Sequence, residues 1–200
     1  MLESLQSLPS PFKREGQTDP LDPLGPLSTA LETLRGMLAA CGNFQALMGV
    51  VTPEAARARI YLASAVPAPA VPEGDGTQEY TPAQWENHLR PFCLVYTAPT
   101  AGYRLARESR YGFADRGKLF IELESNAPAW ADTDPERADR QVLNRTGQIM
   151  IGLANRAGQA GNLDIAQIAL AAGPSRERFE EVGGVGSYYW TLLELDWGPD

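Results

Sequence analysis

An α+β fold, with a mostly antiparallel sheet and two main helices packed on one of its faces, is the class this sequence predicts. Three observations carry it. From Pro135 to Gly158 the apolar residues Val142, Ile149, Met150, Leu153 and Ala157 recur at helical spacing. Two-residue alternation stands on both sides of that helix, in Leu119, Ile121 and Leu123 before it and in Leu193, Leu195 and Trp197 after it. The connections among the strands ahead of the helix are too short for parallel crossovers, so those strands are expected to run as an antiparallel meander.

Residues 1–26 hold Pro9, Pro11, Pro20, Pro23 and Pro26, with Gly16 and Gly25 among them, and no ordinary helix or strand fits. They read as an extended arm that orders on a partner, with Leu2, Leu5, Leu8 and Phe12 as apolar anchors. Residues 27–200 form the domain. A first helix starts at Ser28 and runs for about five turns, with Gly42 or Gly49 marking its weakening or end. Leu31, Leu34, Leu38 and Cys41 lie on its core side, then, after a slip in phase, Phe44 and Leu47. Thr52-Pro53-Glu54 opens a short second helix with a cap, a proline and an acid in sequence. Ile60 to Ala63 is a short extended segment.

A proline- and glycine-rich insertion, 67–81, leads to a short helix opened by Thr81 and Pro82 and stopped by Pro91. Strands are then expected at Phe92–Ala98, Gly102–Tyr111 and Lys118–Ser125, with a loop around Asp115-Arg116-Gly117. Asp134-Pro135-Glu136 starts the long helix. Two strands close the chain, Leu163–Ala171 and Gly186–Trp197, joined by a loop over Gly173–Gly186 that carries Arg176, Glu177 and Arg178.

Two hundred residues at 44% hydrophobic suffice for a buried core without staples. Cys41 and Cys93 are expected as buried free thiols, since neither a disulfide framework nor a CxxC site is present. The beginning of the chain lacks the basic start and apolar core of a signal peptide, and no apolar run reaches the length of a membrane span. A formal charge of −8 argues against sequence-specific DNA binding, yet it suits a surface past which nucleic acid moves without sticking. Fifteen of the seventeen basic residues are arginine, a side chain suited to paired interface contacts.

Chemistry-bearing constellations are few. His88 is the sole histidine, and no Gly-x-Ser-x-Gly elbow accompanies it. The Cys and His count falls short of a structural zinc site. Glu122 and Glu124 share one strand face and are the acids best placed to act as a pair, although a solvated sheet surface is the simpler expectation. Gly183-Gly184-Val185-Gly186 lacks the Gly-Lys-Ser/Thr ending of a phosphate loop. No catalytic residue, cofactor or metal is therefore expected. On the closing strand Tyr189, Thr191, Leu193, Leu195 and Trp197 form the face that packs under the helices. Tyr188, Trp190 and Leu192 form the other, which is more apolar than a free surface and points to cover by a subunit or a loop.

Several stretches, read in order, resemble the tail terminator and tail-completion proteins of long-tailed bacteriophages. They are a helix such as Leu27-Ser-Thr-Ala-Leu-Glu-Thr-Leu-Arg35, the helix end Phe44–Gly49, the segment Ala58–Leu62, and the strands Arg90–Val95 and Gly117–Leu123. The long helix, the Leu163–Leu170 strand and the closing Tyr188–Trp197 strand complete the order, so the resemblance spans residues 27–197. It implies a compact α+β subunit, about six copies of which form a ring that ends the tail tube and joins it to the head connector while the genome passes through. The partners implied are other copies of the chain, the tail tube protein and the connector, with no membrane, in a virion assembled in the host cytoplasm.

In such a ring Arg104, Glu108 and Arg110 are the residues expected to pair laterally, together with the Tyr188, Trp190 and Leu192 face. Glu122 and Glu124 are expected to line the channel or its rim and repel phosphate. The proline-rich start and the 67–81 insertion depart from the small members of that family. Another minor tail or neck protein with the same core is the alternative. A small metal-dependent enzyme is a further one, marked by a concave pocket with convergent Asp or Glu side chains.

Overall fold

The computed structural model describes residues 26–66, 82–97, 103–107, 113–181 and 184–198. The arm at 1–25 and the 67–81 insertion lie outside the described residues.

Helix α1 (Pro26–Ala39) is followed by α2 (Gly42–Leu47), so the five-turn helix expected from the pattern is two helices, parted beside Gly42, one of the two glycines expected to weaken or end it. The break is at Cys41, which is extended at φ −79° and ψ 113°. The phase slip marks it: a straight continuation would swing Leu47 off the core side, and with the break both Phe44 and Leu47 are buried. Carbonyls freed at the break are satisfied by side chains. Gln45 Nε2 donates to Ala39 O at 2.8 Å, and Arg156 Nη2 donates to Ala40 O at 3.0 Å. Helix α3 (Pro53–Arg57) begins as expected, with the Ala55 N–H donating to Thr52 Oγ1 at 3.2 Å.

The sheet contains β1 (Ile60–Tyr61), β2 (Phe92–Thr97), β3 (Tyr103–Arg107), β4 (Phe113–Asn126), β5 (Ile165–Glu181) and β6 (Gly184–Trp197). Its order is β1-β2-β4-β6-β5, antiparallel throughout except for the β1–β2 pair, while β3 pairs β4 off that path. The α+β class holds, with a mostly antiparallel sheet and two prominent helices, α1 and α5 (Pro135–Ala154). The consecutive meander does not. Strand β2 pairs with 119–124 of β4 and β3 with 113–117 of the same strand, so both occupy one edge of β4 as successive pieces of a long hairpin. Asp115, Arg116 and Gly117, expected as a loop, are strand residues opposite Leu105, Arg104 and Tyr103.

Residues 173–181 and 184–186 of the expected Gly173–Gly186 loop are also strand. Strand β5 continues to Glu181 by absorbing Gly173-Pro174 as an irregularity between the pairs Ala172↔Leu192 and Ser175↔Trp190. Gly173 is required there. Its φ is +78°, and a Cβ would stand 2.5 Å from the carbonyl oxygen of Trp190.

Between β4 and β5, α5 starts where the sequence places it, with Asp134 Oδ1 accepting from the Arg137 N–H at 3.1 Å. It buries Ala138, Val142, Thr146, Ile149 and Leu153. The main core joins Leu34, Leu38, Phe44, Ile149 and Leu153 from the helices to Cys93, Val95, Leu119, Ile121, Leu193 and Leu195 from the sheet. Tyr189, Thr191 and Trp197 are buried on that same sheet face, as the alternation predicts. Both cysteines are free and buried.

The sheet is not rectangular. The β4–β6 ladder runs from Gly117↔Trp197 to Asn126↔Tyr188. Among the described residues, β3 and residues 113–116 of β4 alone continue beyond the first end, and residues 178–181 of β5 with 184–187 of β6 alone beyond the second. Two-stranded ribbons therefore project from opposite ends, each roughly 13–16 Å long at about 3.3 Å per residue.

Candidate functional site

The sheet face turned away from the helices is where the sequence concentrates aromatic rings and acids. Alternation puts Phe92, Leu94 and Tyr96 there from β2, Phe120, Glu122 and Glu124 from β4, and Tyr188, Trp190 and Leu192 from β6. Glu122 and Glu124 thus share a face, yet neither is a plain solvated acid.

Each carboxylate is held. Glu122 Oε1 accepts from the Trp190 indole N–H, and its Oε2 accepts from the Tyr96 hydroxyl at 3.1 Å. Glu124 Oε2 accepts from Arg90 Nε at 2.5 Å, and the two side chains are only 10% and 3% exposed. Solvated surface, the simpler expectation for this pair, is not what β4 presents at Glu124. Arg90, just past α4 (Pro82–Leu89), also donates Nη1 to Asn87 Oδ1. Its guanidinium lies 3.6 Å from the Tyr188 ring centroid and 5.3 Å from that of Phe179. The side chain fastens the end of α4 to three strands at once.

Burial governs the titration of this cluster. It raises the Glu124 carboxyl above its ordinary range, and the neighbouring Arg90 charge and hydrogen bond offset only part of that. The Tyr96 phenol is pushed up to about 12 by burial and then by the charge and hydrogen bond of Glu122. Burial, with Glu122 behind it, also holds the Cys93 thiol protonated well above the usual thiol range. The Tyr96 phenol and the Cys93 thiol therefore stay protonated at neutral pH.

The other singled-out residues are scattered. Arg104 sits on the β3 ribbon opposite Arg116, while Glu108 and Arg110 lie outside the described residues. Half-buried Leu192 stands opposite Glu122 on β4 and Ala172 on β5. Further along the face Lys118 binds Glu194 and lies 3.5 Å from Asp196. His88 is exposed on α4. Among the described residues no three of His, Cys, Asp and Glu gather as a metal would require, and no helix is long and apolar enough to cross a membrane.

The sequence does not single out Arg90 beyond the start of a strand, because its partner Glu124 is 34 positions away. The pairing of Glu122 and Glu124 on one face was the available signal that a buried cation would be needed opposite. No protein-family model matches the chain, and no curated protein matches it with significance.

Proposed function

We propose that this chain is a structural subunit that closes head to tail into a ring at the head–tail junction of a long-tailed bacteriophage, ending the tail tube and joining it to the connector. The observation that carries the ring is the pair of ribbons leaving opposite ends of the sheet. A two-stranded ribbon is marginal on its own in water, and pairing of its outer edges with a neighbour would stabilise it. The two ribbons differ in sequence and leave in opposite directions. A contact between one ribbon and the other on the next subunit is heterologous, and such contacts make a ring where the rotation between neighbours closes and an open filament where it does not.

Arg104 on β3, with Glu108 and Arg110 beyond it, supplies the lateral polar contacts in this reading. A second support is the outward side of α5. Leu143 and Ile151 are 49% and 61% exposed there, and the space beside Gly147 between them is open. Apolar residues at four-residue steps on the solvent side of an amphipathic helix fit a surface that a neighbouring subunit covers. The place at the head–tail junction rests on the order of elements described from the sequence.

Electron imaging of particles carrying this chain tests the proposal. The expected result is a closed ring of about six copies on the tail axis. A single copy per particle, or a position off that axis, overturns it.

A further inference from the structure

Among the described residues, Arg35, Arg57, Arg59, Arg90, Lys118, Arg137, Arg140, Arg156, Arg176 and Arg178 each have a carboxylate, carbonyl or aromatic partner, and Arg145 has none. In a chain with 25 acids and 17 bases, an uncommitted guanidinium is unusual. Arg145 is half-buried on α5 and lines a cavity of about 170 Å³ between that helix, the end of β4 and the loop that follows it.

The walls are complementary to one kind of group. Ser125 and Asn126 come from the end of β4, Gln141 from one turn earlier on α5, and Trp130 from the loop. Leu47 gives the cavity an apolar side, and among the described residues no Asp or Glu lines it. Arg137 lies over the Trp130 ring at 4.8 Å and helps to hold that wall in place. Hydroxyl and amide groups thus stand around one cation in a space equal to roughly half a dozen waters.

We infer that this cavity is a binding site for a carboxylate on a short aliphatic stem. A guanidinium fork matches the planar carboxylate in two parallel hydrogen bonds, and Ser125, Asn126 and Gln141 can satisfy its remaining lone pairs. Leu47 and the Trp130 ring receive the stem. One unsupported cation is poorly matched to a phosphate dianion, which favours the singly charged acid. The carboxylate has two possible sources, a free small acid or a Glu or Asp side chain of a second copy of this chain, and both present the same atoms to Arg145.

The test uses the full chain and sodium propionate, read through the NMR shift of the Trp130 indole N–H, which a Trp130→Phe variant assigns. Propionate should shift this signal saturably, and propionamide should not. Arg145→Gln should weaken binding at least tenfold, and Gln141→Ala several-fold. Both positions are solvent-accessible, and an unchanged melting temperature verifies that the variants fold.

Sedimentation of the same samples separates the sources. A propionate shift in a protein that stays monomeric marks a small-acid site. A shift that develops with protein concentration alone, and that propionate reverses while dissociating the oligomer, marks a second copy. Absence of both shifts, or a propionate response equal in Arg145→Gln, overturns the inference. A monomer that binds propionate leaves the ring to its own test.

Discussion

At the scale of the residue, the outer sheet face shows why a buried charge is held by more than its counter-ion. Arg90 meets Glu124 through Nε, Asn87 through Nη1, and the Tyr188 and Phe179 rings through the flat of the guanidinium. Removing one partner of a buried pair leaves the other without compensation, at a cost of roughly 3–5 kcal/mol. Arg90→Ala should therefore lower stability by that amount, measured as a fall in the urea midpoint at unchanged slope. Arg90→Lys keeps the charge but has neither the fork nor the planar stack, so it should recover less than half of the loss. Glu124→Gln should be milder, since an amide oxygen still accepts from Nε. Its pH dependence is also informative. Burial raises the Glu124 carboxyl, so the contribution of that group is present below its unfolded value and lost as pH rises through the folded one. Glu124→Gln should flatten that part of the stability profile in weak acid.

At the scale of the element, local signals were legible wherever local chemistry decides the outcome. Thr52-Pro53-Glu54 and Asp134-Pro135-Glu136 open helices as capping rules require, and the alternation of β6 assigns its buried face correctly. The α1–α2 break was half legible, since the slip before Phe44 was visible but its cause, the extended Cys41, was not. Turn-like residues misled where long-range pairing overrides them. Asp115-Arg116-Gly117 is held in strand form by β3, and Gly173-Pro174 is carried as an irregularity inside a strand of 17 residues. At Gly173 left-handed backbone combines with a main-chain oxygen 2.5 Å from any Cβ, and that oxygen belongs to the β6 ladder, which cannot give way cheaply. Gly173→Ala should cost roughly 2–4 kcal/mol. Gly36, whose added Cβ would meet nothing within 4 Å, should tolerate alanine. Thermal unfolding of the two variants side by side gives the comparison, and equal melting temperatures would show that β5 does not need the irregularity.

At the scale of the whole molecule, the same sequence feature served the fold and left something over. Helix α5 buries one side completely, so its opposite side is free to carry polar residues, yet Leu143 and Ile151 stand there exposed around an open Gly147. Among the described residues nothing covers them enough to need them apolar. Replacing both by glutamate should therefore change the stability of the isolated chain by no more than about 0.5 kcal/mol each, the range for surface positions away from special features. If a neighbour covers this stripe, the two charges would be buried in the contact, and assembly should fail while the monomer stays intact. Sedimentation velocity across a concentration series, with calorimetry on the same samples, reads both quantities. A double variant that assembles like the parent chain would confine the contacts to the ribbons. One that melts early would return the stripe to the fold and remove it from the interface.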